Sequence, residues 1–196
     1  MRYLLALMFV ALAVPAQAQN TAADIFADGK DDAKVHVASG FVCPHKIGLF
    51  ERDAVGNSDI ENGADFCSYA ALDGVYGIVT ITKLNGGYDP KVSLASDFTE
   101  QEGIGSKKVA ETTIKLKQSP LAIYTRTYQT STLEDLRYLI LFTGASVDGW
   151  SVETAIEYAD PRDTPGAMAF LHAIYSSAPS QIAAGPGGKP QVAPSP

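Results

Sequence analysis

This 196-residue chain has little to offer most chemistries. It has two cysteines, Cys43 and Cys67, one tryptophan, Trp150, and three histidines, His36, His45 and His172. There is no C-x-x-C and no H-x-x-x-H, the spacings that gather zinc ligands. There is no H-E-x-x-H, G-x-S-x-G, phosphate loop or dinucleotide fingerprint either, which removes the common hydrolase, nucleotide and nicotinamide motifs. Basic residues are short: 15 Lys and Arg stand against 22 Asp and Glu, a net charge of −7. Such a balance repels phosphate backbones and supplies no polybasic patch, so nucleic-acid and anionic-lipid partners are excluded. No internal repeat and no second composition block appears, which predicts one domain.

The two ends differ from the middle. Residues 1–18, MRYLLALMFVALAVPAQA, carry Arg2, an apolar run from Leu4 to Val14, and Ala16-Gln17-Ala18. This is the layout of a cleaved signal peptide, and the run is too short for a transmembrane anchor, which needs about 20 residues. Cleavage after Ala18 leaves 14 basic and 22 acidic residues, a net charge of −8. The expectation is a periplasmic or secreted protein with residues 19–33 as a flexible segment and 34–177 as one globular domain. Residues 178–196, rich in Pro, Gly and Ala, form a disordered tail in this reading.

Two cysteines in an exported protein meet an oxidising compartment, where they have each other as partner. A Cys43–Cys67 disulfide is therefore predicted. Closing a loop of that length contributes about 3–4 kcal/mol. The rival is a site built from Cys43, His45, Cys67 and His36, whose ligand types suit zinc or copper, although Pro44 stiffens the chain between the first two. Residues 51–65, ERDAVGNSDIENGAD, read as a polar loop within this segment. A calcium loop using Asn57, Asp59 and Glu61 fails, because Asn62 replaces the turn glycine and Ser68 the bidentate glutamate.

Beyond Cys67 the periodicity alternates between 2 and 3.6. Asp73-Gly74 reads as a hairpin turn before a strand over 75–82. Residues 90–102 read as a helix, with Pro90 in its first turn, Leu94 and Phe98 on one face, and Gly103 and Gly105 ending it. Strands follow near 113–117, 121–129, 136–143 and 150–159. In the last, Trp150, Val152, Thr154, Ile156 and Tyr158 share one face, while Ser151, Glu153 and Glu157 read as the solvated one. A final helix opens at Thr164-Pro165, with Thr164 as cap and Met168, Leu171 and Tyr175 on its apolar stripe, widened by Phe170 and Ile174. The fold class is thus α+β: a mainly antiparallel sheet packed by a middle and a C-terminal helix. This element order resembles the α/β/α sandwiches of the PsbP/Mog1 type, and the C-P-x-x-x-G-x-F-x-R run from Cys43 to Arg52 is similar to exported bacterial domains of unknown role. Neither likeness supplies a functional residue.

No catalytic residue, metal ligand or cofactor is assigned. His172 and Ser176, four apart, form a base–hydroxyl pair of a kind chance also produces. Tyr124, Arg126 and Tyr128 share one strand face, two phenols flanking a guanidinium, and are the candidate binding residues for an acidic ligand or a partner. The expected function is a non-catalytic exported domain that binds an envelope protein or a small ligand. The alternatives are an envelope hydrolase of unrecognised type and a Cys/His metal-binding protein.

Overall fold

The computed structural model describes residues 25–59, 63–133 and 136–185. The expected signal peptide, and residues 186–196 of the expected tail, lie outside the described residues. Strands β1 (Phe26–Asp28), β2 (Lys34–His36) and β3 (Val42–Cys43) form a small antiparallel sheet. The main sheet has eight strands: β4 (Lys46–Ile47), β5 (Phe50–Asp59), β6 (Ala64–Ala70), β7 (Tyr76–Lys83), β8 (Lys107–Lys115), β9 (Ala122–Leu133), β10 (Leu136–Val147) and β11 (Trp150–Asp160). Their order is β4-β5-β6-β7-β11-β10-β9-β8, with every pairing antiparallel. Two four-strand meanders thus meet at the centre, where β11 returns beside β7. Helices α1 (Pro90–Ser93) and α2 (Ala95–Gly103) lie in the connection between the meanders, and α3 (Thr164–Ala184) ends the fold. The α+β class stands.

Alternation along β11 sorts the faces. Trp150, Val152, Ile156 and Tyr158 join Phe170, Leu171, Ile174 and Tyr175 of α3 in the larger apolar cluster. On the opposite face, Leu94 and Phe98 pack on Tyr124, Tyr128, Ile140 and Phe142, with Ala155 at the margin. Helices therefore lie on both sides of one sheet. Glycine makes room where they approach most closely: a Cβ at Gly77 would stand 3.0 Å from the Phe170 ring. The Tyr175 hydroxyl donates to the Val152 carbonyl at 2.9 Å and lies 2.7 Å from Thr143 Oγ1, fixing α3 against β10 and β11.

Several local expectations change. Most of the expected 51–65 loop is strand: residues 50–59 are strand β5, with irregular pairing to β6 between Arg52 and Ala54 and between Asn57 and Asp59, and β6 begins at Ala64. A strand near the sheet edge with one face to solvent needs little apolar sequence, so its polarity reads as a loop. The type I′ signature belongs to Asp148-Gly149, with φ of 45° and 80°, joining β10 to β11. The Asp73-Gly74 turn is part of a longer connection closed by the Ala71 N–H donating to the Val75 carbonyl at 2.9 Å. Thr164 does not cap α3; its hydroxyl donates to Asp160 Oδ1 at 2.6 Å.

Both trimmed ends belong to the fold further than expected. Phe26, placed in the flexible 19–33 segment, is 3% exposed in β1. Helix α3 runs seven residues past the expected end at 177, through Pro179. Burying Ala178 and Ile182 offsets the hydrogen bond that an interior proline removes. Met168, by contrast, leaves the predicted stripe and is exposed, with Ala167 and Ala178 taking part in the buried one.

Candidate functional site

Cys43 of β3 and Cys67 of β6 form a disulfide, with Cα atoms 6.3 Å apart and both residues fully buried. The sulfurs bond each other, which removes the thiolates that the Cys/His metal alternative required. Among the described residues no group of three or more His, Cys, Asp or Glu side chains could hold a metal ion. His45 is exposed and serves through its backbone carbonyl, which accepts from the Arg52 N–H at 2.8 Å.

Asp65, two residues along β6 from Cys67, forms a second tie with His36 of β2. The His36 Nε2 lies 2.8 Å from Asp65 Oδ2 and the Nδ1 2.7 Å from Ser39 Oγ. Asp65 accepts the Nε2 hydrogen, which leaves Nδ1 to accept from the serine hydroxyl. A serine, a histidine and an aspartate in line suggest a nucleophile and its base. The seal argues for a structural tie instead. His36 and Ser39 are each 1% exposed, and the imidazole stands between the rings of Phe26 and Trp150, each 5.3 Å away. Ser39 Oγ also accepts from the Phe41 N–H. Burial pushes the His36 pKa below its ordinary value, against the pull of Asp65. Arg52 completes the join by donating to the carbonyls of Cys43 and Asp32. His172 and Ser176 do meet, at 3.1 Å, on the partly exposed side of α3.

On the opposite face, Tyr124, Arg126 and Tyr128 come together as the alternation requires, beneath α2. The Arg126 guanidinium lies 3.8 Å from the centre of the Phe98 ring and 3.2 Å from Glu111 Oε2. Tyr124 donates to Glu111 at 3.1 Å and Tyr128 to Glu102 at 3.0 Å. Hydrogen bonds from Lys91 and Lys108, joined by Arg126 and Tyr124, hold the Glu111 carboxyl well below the usual carboxylate range. An acidic ligand reaches Arg126 here only by displacing Glu111.

A neighbouring group escaped the sequence reading. Glu153, assigned to the solvated face, is 9% exposed and faces α1 and α2, whereas Glu157 is exposed. Tyr88, in the turn before α1, lies across the sheet and donates to Glu153 Oε1 at 2.8 Å. Only glycine at position 144 allows this, since a Cβ there would collide with the Tyr88 hydroxyl. Burial, and then the carboxylate of Asp97, raise the Glu153 pKa; hydrogen bonds from Ser93 and Tyr88 act against them. Burial and Glu100 raise that of Asp97. Both acids line a pocket of about 340 Å³ whose other walls include Ser58, Ile78, Thr80 and Phe142. The signal was Tyr88-Asp89-Pro90: an aromatic before a capped, proline-led helix start, where Asp89 accepts from the Lys91 N–H. Strand alternation alone cannot tell a helix-covered polar position from a solvated one.

The described residues contain no helix long and apolar enough to cross a membrane. No protein-family model, no curated protein and no solved structure matches the chain.

Proposed function

We propose that the chain is an exported, non-catalytic domain that binds an envelope protein or a small ligand on the α1–α2 face of its main sheet. The observation that carries this reading is the unequal cover of that face. Leu94 and Phe98 pack on β9 and β10, with Ala155 of β11 at the margin. The residues that β5, β6 and β7 present on the same face, among them Gly56, Phe66, Ile78 and Thr80, belong to neither apolar cluster. Phe66, Ile78 and Thr80 are half-buried, and the pocket beside Glu153 lies at this border. A partly open sheet face with a pocket at its boundary is a concave, partly apolar surface of the kind that suits docking. The buried disulfide is compatible with export to an oxidising compartment.

The test is affinity capture of envelope components and small molecules on the purified protein, repeated with Ile78→Arg. A bound species retained by the native protein and lost by the folded variant supports the reading. Retention unchanged in the variant, or no species retained at all, overturns it.

A further inference from the structure

The connection between the meanders has the parts of a gate. Its helical portion is bounded by Asn85-Gly86-Gly87 on one side and by Gly103 and Gly105 on the other, and Gly105 has a φ of 86°. A Cβ at Gly86, Gly87, Gly103 or Gly105 would touch nothing within 4 Å, so no packing requires these glycines. What they supply is backbone freedom at both ends of the segment. Several contacts hold the segment to the sheet, among them buried Leu94, the Lys91–Glu111 ion pair and the Tyr128–Glu102 hydrogen bond, and two attachments lie at its centre and its start. One is Phe98 among Tyr124, Tyr128, Phe142 and Arg126. The other is Tyr88 on Glu153.

We propose that residues 88–104 form a lid on the sheet, held shut through the buried Glu153 side chain and released when that group ionises.

The groups around Glu153 decide the direction. From the segment above come the Tyr88 hydroxyl, the Ser93 hydroxyl and the Asp97 carboxylate; Asp89 acts on Tyr88. Across the sheet, Thr80 of β7 and Gly144 of β10 pair with Glu153, and Tyr175 of α3 lies beneath. None of these is a cation. The lysine of the lid, Lys91, is engaged elsewhere, 2.8 Å from Glu111. Elsewhere Lys83 sits over the Trp150 ring and Lys108 on Glu111. Ionising Glu153 therefore places an unmatched charge in a buried site beside a second acid, and lifting the lid hydrates both. The Phe98 attachment does not share this response. Its carboxylate, Glu111, is held far below the usual range and keeps its charge throughout neutral pH. Glu153 is thus the sensor and Phe98 the passive hinge-side contact. Opening uncovers Phe142, Ile140, Tyr124 and Tyr128 as an extension of the half-open face. The lid stands on its own: it opens with pH whether or not that face binds anything.

Amide hydrogen exchange tests this on the full chain between pH 5 and 8, with the intrinsic pH dependence of exchange divided out. The amides of Leu94, Phe98 and Ile104, bonded within the segment to Pro90, Leu94 and Glu100, report the lid because helices of four and nine residues melt once they leave the sheet. Amides of β10 serve as the fixed reference. Expected is a fall in lid protection of about tenfold per pH unit, from the ordinary carboxylate pKa up to the raised one. Glu153→Gln should make this profile shallower, leaving the part that Asp97 contributes, with the reference amides unchanged. Should that variant not fold, Tyr88→Phe decides. It keeps the ring over Gly144 but removes a donor that favours the charged carboxylate, so the fall should continue to higher pH. A wild-type profile without pH dependence overturns the proposal, as does a Glu153→Gln profile that matches wild type or a Tyr88→Phe profile that does.

Discussion

The two faces of β11 are built from alternate residues of one strand, yet they are held by different physics. Among the described residues, 26 buried ones form the larger cluster on the α3 side, against six on the α1–α2 side. The α3 side is closed by the disulfide, the sealed His36–Asp65 tie and the Tyr175 hydroxyl. The other is closed by phenols and carboxylates, with an arginine lying on an aromatic ring. Apolar burial and a covalent bond respond little to pH. Ionisable groups without matched charge respond to pH. The sheet therefore carries a layer held mainly by apolar packing on one side and one held largely by ionisable groups on the other.

The largest expected effect sharpens this contrast with one truncation made twice. Phe170→Ala removes a ring packed against Phe50, Tyr69 and Gly77, and should cost about 3–5 kcal/mol of unfolding free energy. Phe98→Ala should fall at or below the lower end of that range, about 3 kcal/mol, because polar neighbours and water can occupy the space. Chemical denaturation of both variants measures the difference; equal losses would mean that the α1–α2 face is as firmly packed as the α3 face. Next comes the covalent tie. Cys43→Ser should lower stability by about 3 kcal/mol in non-oxidising and oxidising buffer alike, whereas reductant should lower only the wild type. An unchanged melting temperature would remove the disulfide from the list of supports.

The smaller predictions concern pH and have opposite signs on the two faces. The folded pKa of His36 lies below 6.5, so the unfolded chain takes up its proton first. That contribution to stability is complete above pH 6.5 and declines as the pH falls from there through the folded value. Glu153 has a folded pKa above 4.5, so the folded chain holds its proton longer. Its contribution is complete below pH 4.5 and declines as the pH rises through the folded value. Glu153→Gln should consequently raise the melting temperature at pH 8 and leave it nearly unchanged at pH 4. Glu157→Gln, on the exposed end of the same strand face, should stay within about 0.5 kcal/mol of wild type at both pH values. Melting curves across this range compare the two; an equal effect of both substitutions would put Glu153 back on a solvated face.

Much of this was legible in the chain. Trp150 to Tyr158 and Leu136 to Thr143 read as strands because burial on one or both faces imposes a two-residue period. Pro90, Leu94 and Phe98 read as a capped helix for an equally local reason. The strand at Phe50–Asp59 was not legible, since a peripheral strand can be as polar as a loop. Neither was Glu153: it has the same sequence environment as Glu157, and only the crossing of Tyr88 over Gly144 distinguishes them. The three strands up to Cys43 and the last turns of α3 were missed because each depends on contacts distant in sequence. Val42 N–H, for instance, donates to Gln181 Oε1, 139 residues away.

What the sequence determined alone was the class: alternating strands with two helical stretches, two thiols whose only possible partners are each other, and a charge that repels polyanions. These follow from local periodicity and composition, which need no knowledge of what lies across the sheet. The tertiary structure decided which polar side chains are sealed and which face water. His36, Asp65 and Glu153 became buried ionisable groups only when distant segments closed over them, because desolvation is a property of surroundings that no short stretch of chain contains.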